Sequence, residues 1–173
     1  MKFGFGMVLA LAASGAAAQT RAVYLQDKQG DRIEIAQLEV DAQGGYRVTL
    51  AEAPFENHFL SMRPFRCIEG PAKNWCYVPY PYENRRNISA DLTDLEYDFL
   101  FVWKLTNEYG INMWNGVYYK LEQSGDQLIG RLYEIDMDTL SAPPEAGNLR
   151  PVQAKHLHEG DPDSHWLPQL VVE

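Results

Sequence analysis

Tyr97-Asp98-Phe99-Leu100-Phe101-Val102-Trp103-Lys104 places an aromatic ring at every second position. A period of two belongs to an extended strand, whose successive side chains point to opposite faces. Tyr97, Phe99, Phe101 and Trp103 form one wholly aromatic face, and Leu100 and Val102 make the middle of the other face aliphatic. Such a strand is expected to be covered on both sides.

The pattern continues outward in both directions. Toward the C-terminus, Met113–Leu121 and Gln127–Ile135 flank Ser124-Gly125-Asp126, which reads as a hairpin. Trp114, Gly116 and Tyr118 would share one of its faces, and Val117, Tyr119 and Leu121 the other. Toward the N-terminus, Ala22–Asp27 is a strand turned by Lys28-Gln29-Gly30-Asp31. Arg32–Val40 shifts phase from Ile33 and Ile35 to Leu38 and Val40, the mark of a bulge near Ala36. Tyr46, Val48 and Leu50 share a face of a third strand, and His58–Met62 reads as a fourth. Thr93-x-x-Glu96 matches a capping box and predicts a helical turn over Ser89–Asp94. Leu149–Ala154 reads as a brief strand and Trp166–Val172 as a closing one. About seven to nine short strands with very little helix predict an all-β chain. A single-domain antiparallel β-barrel, lipocalin-like in architecture only, and a β-sandwich both fit.

The chain opens MKFGFGMVLALAASGAAAQT. A basic residue, an apolar run and a small-residue Ala16-Ala17-Ala18 pattern read as a secretory signal over residues 1–18, cut before Gln19. Residues 19–173 then form one β-rich domain, expected to be soluble and periplasmic or secreted. No apolar run is long enough for a membrane-spanning helix. A net charge of −9 argues against nucleic acid as a partner. A small molecule or an envelope protein fits better, and oligomeric state is not legible.

The stretch FLSMRPFRCIEGPAKNWCYVPYPY, residues 59–82, holds both cysteines. Cys67 and Cys76 lack the second cysteine pair of a zinc site, and in an oxidising compartment they read as a disulfide. Pro79 and Pro81 keep the following residues extended. Of the chain's 7 Phe, 10 Tyr and 4 Trp, 15 fall between Phe55 and Tyr119. This concentration motivates a ligand-binding surface built from Trp75, Tyr77, Tyr80 and Tyr82, with Arg63, Arg66, Arg85 and Arg86 fixing polar groups. An internal network between these arginines and Asp91, Asp94, Glu96 and Asp98 is the competing use.

On this reading the protein is non-catalytic and needs no cofactor. Two alternatives stand beside it. His156, His158 and His165 lie among carboxylates and suggest a zinc- or copper-binding protein. Carboxylate pairs such as Asp94 with Glu96 suggest a hydrolase. Glu134, Asp136 and Asp138 alternate as calcium ligands would, and His58 lies near Glu52 and Glu56 in sequence, with no identifiable nucleophile.

Overall fold

The computed structural model describes residues 18–173. The expected signal segment lies outside the described residues, apart from Ala18. The strands are β1 (Gln19–Gln26), β2 (Arg32–Val40), β3 (Tyr46–Leu50), β4 (Glu56–Phe59), β5 (Pro64–Ile68), β6 (Lys73–Val78), β7 (Leu100–Leu105), β8 (Gly116–Ser124), β9 (Gln127–Ile135), β10 (Leu157–Glu159) and β11 (Gln169–Val172). One short helix, α1 (Thr93–Tyr97), precedes β7. All pairings between these strands are antiparallel, in the order β3-β2-β1-β11-β9-β8-β7-β6-β5-β4, with β10 also on β9. This single curled, half-barrel sheet matches the all-β, barrel-like expectation, and a two-sheet sandwich does not describe it. No helix among the described residues is long and apolar enough to cross a membrane.

Period-two alternation divides the core in two. Phe99, Phe101 and Trp103 pack inside the curl with Trp75, Val117, Tyr119, Leu121, Leu132 and Leu170. Leu100 and Val102 face outward, onto Tyr118, Ile135, Met137 and Leu140. β7 is therefore covered on both sides, as its composition requires. Tyr97 breaks the expected alternation: it ends α1 and joins the outer cluster, and the strand begins only at Leu100.

The β1–β2 register shifts between Val23 and Tyr24, where Val23 faces Ala36 and Tyr24 faces Glu34. Ile35 is the extra residue, so it and Ala36 can both be buried. The β8–β9 hairpin turns on Gly125 and Asp126; Gly125 has φ 59°, the left-handed first position that a tight hairpin needs. The C-terminal expectation shifts: β10 replaces a strand over Leu149–Ala154, and the closing strand begins at Gln169.

β7 pairs with β8 at only two positions, Phe101–Val117 and Val102–Gly116. Beyond them α1 lies against β8. Its N-cap is Leu92, without a side-chain cap bond, so the expected capping box does not form. Glu96 is fully buried and takes over part of a strand's role. Its Oε1 accepts the Leu121 backbone N–H at 2.9 Å, and the carboxylate also accepts from the Tyr118 hydroxyl and from Lys120.

The two edges of the curl, β3 and β4, are bridged rather than paired. Tyr46 N–H donates to Arg86 O at 2.9 Å and Ile88 N–H to Gly44 O at 2.8 Å, which lays residues 86–88 along the start of β3. At the other end Arg66 donates to Ala51 O at 2.6 Å and lies over the Phe55 ring.

Candidate functional site

Cys67 and Cys76 form the expected disulfide, joining directly opposed residues of β5 and β6. The four rings in and after the loop this bridge closes, Trp75, Tyr77, Tyr80 and Tyr82, do not form one platform. The same alternation that built β7 sends Trp75 and Tyr77 into the inner cluster and Tyr80 and Tyr82 onto the outer one. Trp75 is fully buried and its indole N–H donates to Tyr119 Oη at 3.0 Å. Tyr80 stacks on Tyr97 with centroids 4.6 Å apart, and its hydroxyl is buried without a partner. Tyr82 donates to Leu140 O. Trp75 is thus core rather than contact surface.

The arginines are dispersed as well. Arg63 is exposed beside Phe65, and Arg66 spans the edge gap. Arg85 and Arg86 line a shallow hollow of about 420 Å3 with Glu39, Asp41 and Arg47. An internal cation–acid network does exist, but Arg86 is its only member from this group: it lies 3.7 Å from Asp98. Asp98 also accepts from Tyr46 Oη at 2.8 Å, and burial raises its pKa above the ordinary carboxylate value. Asp94 and Asp91 pair with Arg150, and Glu96 with Lys120. Asp94 and Glu96 are each enclosed by donors, so no open carboxylate pair faces a cleft there.

The three histidines also separate. His156 Nδ1 accepts the Gln153 N–H at 3.1 Å, His158 is exposed on β10, and His165 is buried. Asp136 caps the Asp138 N–H, Asp138 accepts from Trp114, and His58 meets Glu69 rather than Glu52 or Glu56. Among the described residues no group of three or more His, Cys, Asp or Glu is placed to hold a metal ion.

The groups that do converge come from distant parts of the chain. Lys73 precedes Trp75 and Tyr77 on the inner face of β6, and the register sets Trp75 opposite Trp103 of β7. Glu134 follows Leu132 at the end of β9. Residues 160–168 cross this end of the curl and carry His165 into it. The imidazole sits between two indoles, with centroids 5.5 Å from Trp75 and 5.8 Å from Trp103. His165 Nε2 is 2.8 Å from Glu134 Oε1, and Nδ1 is 3.5 Å from Lys73 Nζ. A lysine ammonium can only donate, so Nδ1 accepts and Nε2–H donates to the carboxylate. Lys73 Nζ also donates to Ser164 O at 2.6 Å and lies 4.0 Å from the Trp103 ring centroid.

This chain of groups meets solvent in a cleft between the β1–β2 turn and residues 159–169. A lobe of about 380 Å3 is walled by Lys28, Pro71, Lys73, His165 and Trp166. A second, of about 800 Å3, is walled by Gln26, Arg131, Glu159 and Gln169. Lys28 and Asp163, which form an ion pair, line both. Gly70 forms part of the support: a Cβ there would fall 2.4 Å from Trp166 Cε2, so only glycine lets the indole lie against the chain. The Trp166 indole nitrogen is buried and has no hydrogen-bond partner.

The chain matches no protein-family model, no curated protein and no solved structure.

Burial lowers the His165 pKa from 6.5, and the neighbouring Lys73 adds to this, while Glu134 and Asp161 oppose it. Burial likewise lowers Lys73, against the pull of Glu134 and Asp161. The unfolded chain therefore takes up a proton at His165 before the folded one does. Stability contributed by neutral His165 is present above 6.5 and is lost as the pH falls below it. Urea unfolding between about pH 7.5 and about pH 5.5 should show this fall, and His165→Gln should flatten it. An unchanged slope in the variant would assign the acid sensitivity elsewhere.

None of this convergence is signalled by spacing. His165 is 31 residues from Glu134 and 92 from Lys73. Only the strand register and the crossing segment bring them together.

Proposed function

We propose that this chain is an exported, non-catalytic β-domain that binds a small acceptor-rich ligand, such as a carboxylate or phosphate compound, in the cleft beside Trp166. Export is motivated by the residue pattern of the first 18 positions together with the disulfide. The observation that carries the binding reading is the buried, unpartnered Trp166 indole N–H beside a lobe with Lys28 and Lys73 in its walls. A buried donor left unmade costs about 1–3 kcal/mol, which an acceptor brought by a ligand removes. The lobe's carboxylates already have donors: Asp27 accepts from the Gln29 and Asp31 N–H groups, and Asp163 from Lys28 within the lobe's own wall, which leaves Lys73 as its unneutralised lysine. A small pocket with apolar walls and a few convergent donors suits an anionic head group.

The chain's 4 tryptophans give resolvable indole N–H signals, and Trp166→Phe identifies the one in question. Titration with acetate, malonate and inorganic phosphate should move the Trp166 resonance saturably, and choline should leave it in place. If millimolar concentrations of every anion leave it unmoved, the cleft is not an anion site.

A further inference from the structure

Lys73, His165 and Glu134 repeat the logic of an activated nucleophile. One group can attack, a base stands within reach of its proton, and a third group orients the base. Glu134 accepts from His165 Nε2 at 2.8 Å, which fixes the tautomer and turns the Nδ1 lone pair toward Lys73 Nζ, 3.5 Å away. The histidine is fully buried between indoles, so its orientation is rigid. The lysine is only partly buried and lines the smaller lobe of the cleft. A solvated surface lysine has no such base at its back. Of the other lysines, Lys28 in the β1–β2 turn is paired with Asp163, Lys120 with Glu96, and the buried Lys104 with Leu105 O.

We infer that Lys73 captures a carbonyl-bearing ligand, an aldehyde or oxo acid, as a reversible imine, with His165 as its base and Glu134 as the residue that positions His165. The ammonium proton passes to His165 Nδ1 and the free amine adds to the carbonyl carbon, giving a carbinolamine. The imidazolium returns the proton to the carbinolamine hydroxyl, which leaves as water, and the iminium remains. Ammonium and carbonyl thus give iminium and one water, with no oxidant or reductant. The iminium keeps one N–H and its positive charge, so the Ser164 carbonyl and the Trp103 face that hold the ammonium hold the product too. Desolvation at Lys73, which favours the neutral amine, acts in the same direction.

The inference rests on the cleft of the proposed function admitting small molecules, and two probes separate them. The protein is treated with propionaldehyde or with glyoxylate in the presence of cyanoborohydride, and each lysine's adduct is followed by peptide mass mapping. With either probe Lys73 should be trapped about tenfold faster than the exposed Lys155 at neutral pH. Lys73→Arg should abolish the fast phase. Glu134→Gln should slow trapping at Lys73, because His165 loses the charge that keeps it basic, and should move the pH profile downward, because Glu134 raises both groups, while leaving Lys155 unchanged. Trapping at Lys73 no faster than at Lys155 overturns the inference, and a Trp166 resonance that still moves with acetate then leaves the binding reading standing. A fast phase insensitive to Glu134→Gln overturns the assigned relay. A fast phase equal for both aldehydes, with Trp166 unmoved by anions, supports capture and removes the acidic preference.

Discussion

Glu96→Leu should cost about 3–5 kcal/mol of stability, the largest loss expected from one substitution in this chain. The carboxylate is fully buried, and three donors depend on it: the Leu121 N–H, the Tyr118 hydroxyl and Lys120. Lys120 is half-exposed and can return to water. The Leu121 N–H and the Tyr118 hydroxyl cannot. Each buried group left unmade costs about 1–3 kcal/mol, so these two account for most of the loss. For a domain of this size the melting temperature should fall on the order of 10 °C. Glu96→Gln keeps an acceptor for Leu121 and a polar partner for Tyr118, and should cost clearly less. Chemical denaturation of both variants checks the claim. Equal losses for leucine and glutamine would mean that the charge, rather than the replaced strand contact, is what matters.

Removing the disulfide, as Cys67→Ala with Cys76→Ala, should cost about 2.5–3 kcal/mol through the freedom returned to the unfolded chain. The loss should be spatially uneven. β5 meets β6 at only two opposed pairs, Cys67–Cys76 and Ile68–Trp75, so the β4–β5 hairpin hangs on the sheet by a narrow seam. Hydrogen exchange in the double variant should accelerate first over residues 56–68. The β8–β9 hairpin, paired along nine positions from Gly116–Ile135 to Ser124–Gln127, should keep its protection. Uniform acceleration across both regions would show that the bridge secures the whole sheet instead of its margin.

What the sequence disclosed follows physical range. Phe99, Phe101 and Trp103 announced a doubly covered strand because alternation is local, and the bulge at Ile35 was visible as a slip of that alternation. Cys67 and Cys76 sit close enough in sequence for their pairing to be read directly. Tyr97 misled because a single turn of helix keeps no two-residue period, and its aromatic neighbours extended the strand pattern over it. Over Trp75–Tyr82 the strand runs only to Val78, and the even-numbered Tyr80 and Tyr82 fall on the opposite side from Trp75 and Tyr77. One surface carrying all four rings was therefore geometrically excluded. Lys73, Glu134 and His165 carried no local mark at all. Lys73 stood in a basic stretch, Glu134 among spaced acids and His165 beside two other histidines. Their meeting depends on β6–β7 register and on a segment crossing the end of the curl.

β11 lies between β1 and β9, although it follows both in the chain. Until Gln169–Val172 docks, β1 through β3 and β4 through β9 share no strand pairing, only the edge contacts of residues 86–88 and Arg66, and each keeps a bare rim where this strand belongs. The keystone arrives after the arch. Before that strand docks, β1 and β9 each present an unpaired edge, the kind of border that templates association with a second chain.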